Sequence, residues 1–202
     1  MYGRFAMYSQ RDEEQVILNY FEDRVGTFLD VGAYNGTSFS NTHELALRGW
    51  SGVCVEASPS CFVKLMKTYA GNPDIRLVLA TIATKCSSAF TMFRDSEDAV
   101  STIDEGHYQK WKDAATYRTI WTATVAPHFL YDLIPHPDFL SVDVEGISGD
   151  VTKALFIEVT FRPELVCVEV DDDALSLDAF FMDLGYNCIH TTNENHIYRR
   201  VS

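Results

Sequence analysis

Acidic residues end two successive apolar runs of the sequence, and glycines follow the first of them. In FLDVGAYNG (28–36), Asp30 stands two residues before Gly32, and Gly36 completes a G-x-x-x-G spacing. The dinucleotide fingerprint G-x-G-x-x-G lacks its middle glycine here. A carboxylate at Asp30 would also repel a pyrophosphate, whereas it would attract a cofactor with a cationic end, such as the ammonium and sulfonium of S-adenosylmethionine (SAM).

Glu56 ends the second apolar run, 26 residues after Asp30. That distance is near the spacing at which an acid meets ribose hydroxyls in nucleotide-binding sheets. Taken together, the two acids and the glycines favour a nucleoside site. The alternative is that each acid only caps the helix that follows it.

A third apolar run, FLSVDVEG (139–146), ends with a pair of carboxylates. Asp143 and Glu145 would project to the same side, because side chains alternate along a strand. Either could deprotonate a substrate hydroxyl as a general base, and Asp143 is the first candidate. The alternative is a helix-capping acid beside a surface acid. Weaker base candidates are three histidines, each more often a structural or exposed residue: His107, His128 and His136.

The elements that must position these residues alternate along the chain. Apolar runs predict buried strands at 26–33, 51–58, 74–83, 138–146 and 165–171, with a short added strand at 88–94. Amphipathic segments predict helices at 41–50, 61–71, 128–134, 150–156 and 175–186, the first with Asn41 and Glu44 at the spacing of a capping box. This order indicates an α/β fold with a doubly wound, mostly parallel sheet whose ligands bind at the carboxyl ends of the strands. The last residues predict an antiparallel terminal hairpin.

Residues 95–125 interrupt the alternation. They are aromatic and polar without a sustained period, and insertions of this length often carry substrate contacts. Four aromatic side chains could stack on a sugar ring or belong to the core: Tyr108, Trp111, Tyr117 and Trp121.

Length, charge and cysteine content narrow the classes of function. A chain of 202 residues predicts a single domain, and a net charge of -13 disfavours nucleic acid and anionic membrane surfaces as partners. No apolar run reaches the roughly 18 residues of a membrane span, and the N-terminus has no signal-peptide pattern. Five cysteines without a C-x-x-C pair argue against a disulfide framework or a zinc site and suit a cytoplasmic location. No oligomeric state is predicted.

Several segments resemble FkbM-type methyltransferases and occur in that family's order. They are YSQRDEEQ (8–15), FLDVGAYNGTSFSNT (28–42), GWSGVCVEASP (49–59), AVSTIDEGHY (99–108), FLSVDVEG (139–146) and GYNCIHTTNENHIYRR (185–200). The resemblance covers nearly the whole chain. It implies a class I, Rossmann-like methyltransferase fold with a seven-stranded sheet and a reversed last hairpin. It also implies SAM as methyl donor and a hydroxyl as acceptor, often on a sugar, glycan or other small molecule.

The resemblance also assigns roles to residues. The loop after the first strand would enclose the methionine part of SAM, Glu56 would bind the ribose, and Thr81 and Ile82 would lie near adenine. Ser9 and Gln10 would fold over the site, and Asp143 would stand between cofactor and acceptor. The cofactor-binding candidates are Ser9, Gln10, Asp30, Gly32, Ala33, Tyr34, Asn35, Gly36, Glu56, Ala57, Thr81, Ile82 and Asp143, and the catalytic candidates are Asp143 and Glu145.

The chain departs from the family pattern after DVEG. Ser148 stands where the family usually has glutamate, and Gly149 where it has leucine; Thr81 replaces a common alanine. The departures at Ser148 and Gly149 motivate an alternative, a SAM-binding protein that has lost catalysis and acts as an interaction module. A Mg²⁺ site at the acidic run 171–173 beside Asp143 is a further alternative, less favoured than a solvated acid run. A third alternative is an NAD-dependent oxidoreductase. The missing middle glycine of the dinucleotide fingerprint and the carboxylate of Asp30 argue against it.

Overall fold

The computed structural model describes residues 7–82, 84, 89–170 and 174–201. The strands in these ranges are β1 (Thr27–Val31), β2 (Ser51–Glu56), β3 (Ile75–Leu79), β4 (Thr81–Ile82), β5 (Phe90–Asp95), β6 (Arg118–Val125), β7 (Phe139–Val142), β8 (Leu165–Glu169), β9 (Tyr186–Thr191) and β10 (Asn195–Arg200). The helices are α1 (Glu13–Phe21), α2 (His43–Leu47), α3 (Pro59–Thr68), α4 (Glu105–Trp111), α5 (Pro127–Leu133), α6 (Ser148–Glu158) and α7 (Ala174–Asp183). None of these helices has the length and apolar character needed to cross a bilayer.

Seven strands form the main sheet, in the order β3-β2-β1-β7-β8-β10-β9. The first five run parallel, and β10 lies antiparallel to both β8 and β9. The chain winds outward from β1 in both directions, so the order reverses between β1 and β7. This confirms the doubly wound, mostly parallel sheet with an antiparallel terminal hairpin, and the point of reversal is where such sheets bind their ligands.

Both faces of the sheet are buried. On β1, Phe28 packs in a cluster with residues of α1, α2 and α3, such as Ile17 and Leu65. Its neighbour Leu29 faces the other side, with residues of α5, α6 and α7 such as Leu155. The alternation of side chains along each strand therefore supplies two apolar layers, as expected for parallel strands covered by helices on both sides.

Some predicted element boundaries are wrong. Strand β7 ends at Val142, so 143–146 form a turn in which Glu145 and Gly146 have φ values of 51° and 92°. The predicted strand 74–83 is two strands, because the chain leaves the main sheet after Leu79 and Thr81–Ile82 pairs with β6. Helix α2 is shorter than predicted, and α1 was not predicted.

The segment 95–125, predicted to be irregular, is regular in part. It contains α4 and the eight-residue strand β6, which joins β4 and β5 in a second, three-stranded sheet. Of the β6 residues only Thr122 is buried, so the strand carries no apolar alternation that a sequence could reveal. Asp95, the last residue of β5, is buried and accepts hydrogen bonds from Ser58 Oγ at 2.7 Å and from the Arg118 guanidinium at 2.8 Å. These contacts fasten the small sheet to the loop after β2.

Candidate active site

A cleft of about 670 Å³ opens at the carboxyl ends of the central strands, beside the point of reversal. Most of the predicted site residues line it: Gln10, Asp30, Gly32, Ala33, Tyr34, Glu56, Ala57, Thr81, Ile82, Asp143 and Glu145. Ser9, Asn35 and Gly36 do not line it. The fold thus collects residues from the N-terminal segment and from the ends of five strands in one cavity.

Gly32 brings the loop after β1 into direct contact with the loop after β7. Its φ is +92°, and a Cβ atom there would lie 1.6 Å from the carbonyl oxygen of Asp143. Both conditions require glycine. Asn35 shapes the same loop from behind, where its Oδ1 accepts hydrogen bonds from the backbone N–H groups of Thr37 and Ser38 at 2.9 and 2.8 Å. Gly36 packs against α3.

Asp30 is buried at the end of β1, with 5% of the residue exposed. Burial raises the pKa of its carboxyl to about 6, although the Thr42 hydroxyl opposes this rise by donating a 2.6 Å hydrogen bond. The residue therefore titrates within reach of neutral pH. A cationic group brought beside it would stabilise the carboxylate and lower its pKa.

Asn41 is a site residue that the sequence did not reveal. Its side-chain nitrogen donates to Ser141 Oγ at 3.3 Å, and its Oδ1 is buried without a hydrogen-bond partner in the described part of the chain. Asn41 also lines the cleft. The predicted capping box is wrong, because Ser40 Oγ accepts the hydrogen bond from the first N–H of α2, that of His43, at 3.0 Å. Asn41 instead offers an acceptor near Asp30.

Glu56 is held by two backbone donors. The N–H groups of Tyr34 and Ser58 donate to its two carboxylate oxygens at 2.8 and 2.6 Å. Burial raises the pKa of this carboxyl to about 7, the backbone hydrogen bonds oppose the rise, and Asp95 adds to it. Each oxygen can accept a second hydrogen bond, so the carboxylate can still bind a ribose diol in the cleft.

The N-terminal segment closes one end of the cleft. Ser9 Oγ accepts a hydrogen bond from the N–H of Glu14 at 3.2 Å and so shapes the start of α1, while Gln10 lines the cavity. The guanidinium of Arg11 pairs with Glu194 at 2.8 Å. Glu194 belongs to the turn between β9 and β10 and also lines the cleft, so the segment is fastened to the terminal hairpin.

Three carboxylates meet at the ends of β7 and β8. Asp143, Glu145 and Glu169 are half-buried, and each places an oxygen within 4.8 Å of the other two. Strand alternation was predicted to place Asp143 and Glu145 on the same side. They lie beyond the end of the strand, and the turn after Val142 brings the Glu145 side chain close to Asp143. A shared cation is compatible with this spacing. The residues 171–173 proposed for Mg²⁺ lie outside the described residues.

Ser148, at the position of the family departure, is part of this arrangement. It is fully buried, and its hydroxyl donates to Glu169 Oε2 at 2.9 Å and accepts from the N–H of Val144 at 2.9 Å. The N–H of Glu145 also donates to Glu169 Oε2, at 3.2 Å. Sequence reasoning missed Glu169, although it ends an apolar run as Asp30 and Glu56 do, and that signal could have identified it.

Among the histidine candidates, His107 alone lies in the cleft. Its Nε2 is 3.1 Å from a Glu145 carboxylate oxygen, without the alignment of a hydrogen bond. Burial and the nearby Lys110 lower the pKa of the imidazole, so it is neutral near pH 7. His128 and His136 are exposed and do not line the cleft.

The aromatic candidates divide in the same way. Trp111 lines the cleft, with its ring 6.3 Å from that of His107. Tyr108 and Tyr117 pack against each other outside the cavity, at 5.2 Å between ring centres. Trp121 is 71% exposed on the small sheet.

Comparison with known proteins agrees with this geometry. The family model described as "Methyltransferase FkbM domain" matches residues 30–188. The chain belongs to the FkbM methyltransferase family. It is therefore a SAM-dependent methyltransferase, as the resemblance of its motifs implied. No curated protein sequence matches it.

Solved structures show the same fold at low identity. The SAH-bound methyltransferase PaMTH1 of Podospora anserina has a TM-score of 0.53 at 12% identity, over 98% of this chain and 83% of that one. Precorrin-6y C5,15-methyltransferase of Geobacter metallireducens GS-15 has a TM-score of 0.50 at 14% identity, over 98% and 92%. This FkbM-family chain accordingly has the class I methyltransferase fold.

Proposed function

We propose that this protein transfers the methyl group of SAM to a hydroxyl of a sugar, a glycan or another small molecule. One observation carries the proposal: a single cleft holds acceptors suited to a cationic nucleoside cofactor and, next to them, the carboxylates of Asp143, Glu145 and Glu169. The first group would bind the donor. The second would bind and deprotonate the acceptor.

The residues present fit SAM. Asp30 would accept a hydrogen bond from its ammonium group, as would the Asn41 Oδ1, which has no partner among the described residues; Glu56 would accept hydrogen bonds from the ribose. Ile82 and Phe93 line the same cleft as Glu56 and would form an apolar surface for the adenine ring. The bound cofactor would supply a methyl group already activated by its sulfonium.

Asp143 is proposed as the group that orients and deprotonates the acceptor hydroxyl. Its backbone is fixed on both sides, because its N–H donates to the Val31 carbonyl at 2.9 Å and its carbonyl oxygen faces Gly32. The Asp143 side chain therefore leaves the backbone where the loop after β1 meets the loop after β7, between the cofactor and the acceptor. Holding it there would contribute alignment as well as proton transfer.

The acceptor is proposed to be neutral or cationic. A net charge of -13 and a cleft with several carboxylates disfavour phosphorylated compounds, nucleic acids and anionic membrane surfaces. Trp111 offers the aromatic wall on which a sugar ring could stack. A cytoplasmic location remains part of the proposal, supported by the free thiols of the described cysteines Cys54, Cys61, Cys167 and Cys188.

The rival function is a SAM-binding module without catalysis, suggested by Ser148. The contacts of Ser148 argue for the enzyme instead, because its hydroxyl positions the Glu169 carboxylate among the acids of the cleft. A serine that only filled the place of a lost glutamate would not need that contact.

Two measurements test the proposal. Calorimetry should show one molecule of S-adenosylhomocysteine (SAH) bound per chain, and labelled SAM should methylate members of a panel of sugars and polyols. Asp143→Asn should lower kcat by about 10²- to 10⁴-fold while SAH affinity is kept. The exposed Asp150→Asn serves as the matched control. SAH binding without methylation of any acceptor would favour the rival function, and NADH binding without SAH binding would contradict both.

A chelator decides the role of a metal. Mg²⁺ is not part of the proposed reaction, so treatment with EDTA should leave methyl transfer unchanged. Activity that is lost in EDTA and restored by MgCl₂ would instead make Asp143, Glu145 and Glu169 metal ligands.

A further inference from the structure

A second cluster of side chains lies outside the cleft, where α7 packs against the terminal hairpin. Asp178, Cys188 and His196 each place one donor atom within 4.8 Å of the other two. They come from three different elements, α7, β9 and β10. None of them lines the cleft.

The register of the hairpin explains why these side chains meet. Cys188 is paired directly with Tyr198, and His196 stands two residues before Tyr198, so all three share one face of the hairpin. Helix α7 covers that face, where Phe181 stacks on Tyr198 at 4.0 Å between ring centres. Asp178 lies one helical turn before Phe181 and is therefore carried to the same spot.

One of the three distances between donor atoms is close to that of tetrahedral coordination, and the two to Cys188 are below 4.8 Å. His196 Nδ1 lies 3.1 Å from Asp178 Oδ1, and ligands bound to zinc at its usual bond lengths are about 3.2 to 3.8 Å apart. Tyr198 donates a 2.7 Å hydrogen bond to the same Asp178 oxygen, which orients that carboxylate. A hydrogen-bonded partner of this kind is typical behind metal ligands.

Exposure leaves room for an ion to enter. Cys188 is exposed, and 40% of the Asp178 side chain and 14% of the His196 side chain are accessible. Within the described residues, the hydrogen bond that Cys188 would give up is weak and runs from its sulfur to the His190 carbonyl oxygen at 3.5 Å. His196 Nδ1 would exchange its contacts with Asp178 and Tyr198, at 3.1 and 3.2 Å, for the ion.

We propose that Asp178, Cys188 and His196 form a binding site for a zinc-class divalent ion, with water as the fourth ligand. A thiolate, an imidazole and a carboxylate form a set that selects zinc and its neighbours over Mg²⁺ or Ca²⁺. The bound ion would clamp α7 to both strands of the hairpin. The absence of a C-x-x-C pair argued against zinc, but these ligands are distant in sequence and only the fold unites them.

Zinc titration of the full chain tests the site. Protein stripped with EDTA should bind one ZnCl₂ per chain in calorimetry, and Zn²⁺ should raise its melting temperature. Co²⁺ in place of Zn²⁺ should give a thiolate-to-metal charge-transfer band that Cys188→Ser abolishes. Tyr198→Phe, which keeps the ring but removes the hydrogen bond to Asp178, should weaken zinc binding by about 10-fold, and Cys188→Ser should weaken it more.

Matched controls separate this site from adventitious binding. His190→Asn and Asp183→Asn change the same residue types in β9 and at the end of α7, and both should bind zinc as the wild type does. Circular dichroism would show that each variant is folded. The proposal is overturned if the wild type binds no stoichiometric zinc, or if Cys188→Ser and His196→Asn bind it equally well. SAH binding, measured in parallel, reports on the cleft independently.

Discussion

Glu56 makes the stability of this protein depend on pH in a way that Glu56→Gln should abolish. Burial raises the pKa of the Glu56 carboxyl from the ordinary 4.5 to about 7. The unfolded chain loses this proton near pH 4.5, whereas the folded protein keeps it until about pH 7. Between these values the folded state holds more protons, so raising the pH destabilises it.

The size of the effect follows from the same two pKa values. Each pKa unit corresponds to about 1.4 kcal/mol, so the rise at Glu56 corresponds to about 3 kcal/mol. This stability is fully present below pH 4.5 and is lost as the pH rises through about 7. Glutamine does not titrate, so the Glu56→Gln variant lacks this dependence on pH. Its amide nitrogen cannot accept a hydrogen bond, so one of the two bonds from Tyr34 and Ser58 is lost, at a cost of about 1 to 3 kcal/mol at every pH.

Urea denaturation between pH 4.5 and 8 measures the difference in the free energy of unfolding between Glu56→Gln and the wild type. The free energy of unfolding of Glu56→Gln, compared with the wild type, should be lower at pH 4.5 and should recover by about 3 kcal/mol by pH 8. The exposed Glu158→Gln is the matched control and should give a curve parallel to that of the wild type. Parallel curves for Glu56→Gln as well would refute the buried, protonated carboxyl.

Three further substitutions address the cleft. Gly32→Ala places a Cβ atom 1.6 Å from a carbonyl oxygen of the loop after β7 and should abolish SAH binding. Gly49 has a similar φ of +87° but open space around it, so Gly49→Ala should keep SAH binding. Equal binding by both variants would contradict the close contact at Gly32. Ser148→Ala removes the hydroxyl that positions Glu169 and should lower kcat by about 10-fold or more with unchanged SAH affinity. Asp30 has a pKa of about 6, so SAH binding by the wild type should strengthen from pH 5 to 7; calorimetry of Asp30→Asn should show a smaller increase, the part that Glu56, with a pKa of about 7, contributes.

The sheet and the cofactor side of the cleft could be predicted because their signals are local. Each parallel strand is a buried apolar run, and an acid at the end of such a run lies at the ligand-binding edge whatever the details of packing. Asp30, Glu56 and Asp143 were found in this way. Local sequence also placed Gly32, since a tight turn between strand and helix favours glycine.

The remaining site residues depend on contacts between distant parts of the chain. Asn41 enters the site through a hydrogen bond to Ser141, 100 residues away, while its spacing to Glu44 suggested only a helix cap. The strand β6 is stabilised by its partners in the small sheet, not by an apolar pattern of its own. Periodicity reports burial, so it is silent where an element is mostly exposed.

Position 148 shows how a departure from a family pattern changes meaning once the fold is known. In the sequence, serine in place of glutamate indicates a lost carboxylate and so a lost activity. In the structure, the Ser148 hydroxyl joins the N–H of Val144 to the carboxylate of Glu169, which β8 delivers to the same place. Three carboxylates of the cleft, those of Asp143, Glu145 and Glu169, then lie within 4.8 Å of one another. What distinguishes this chain is therefore the way in which the Glu169 carboxylate is held. A different acceptor, which fits this arrangement, explains the serine at position 148 more simply than a loss of activity does.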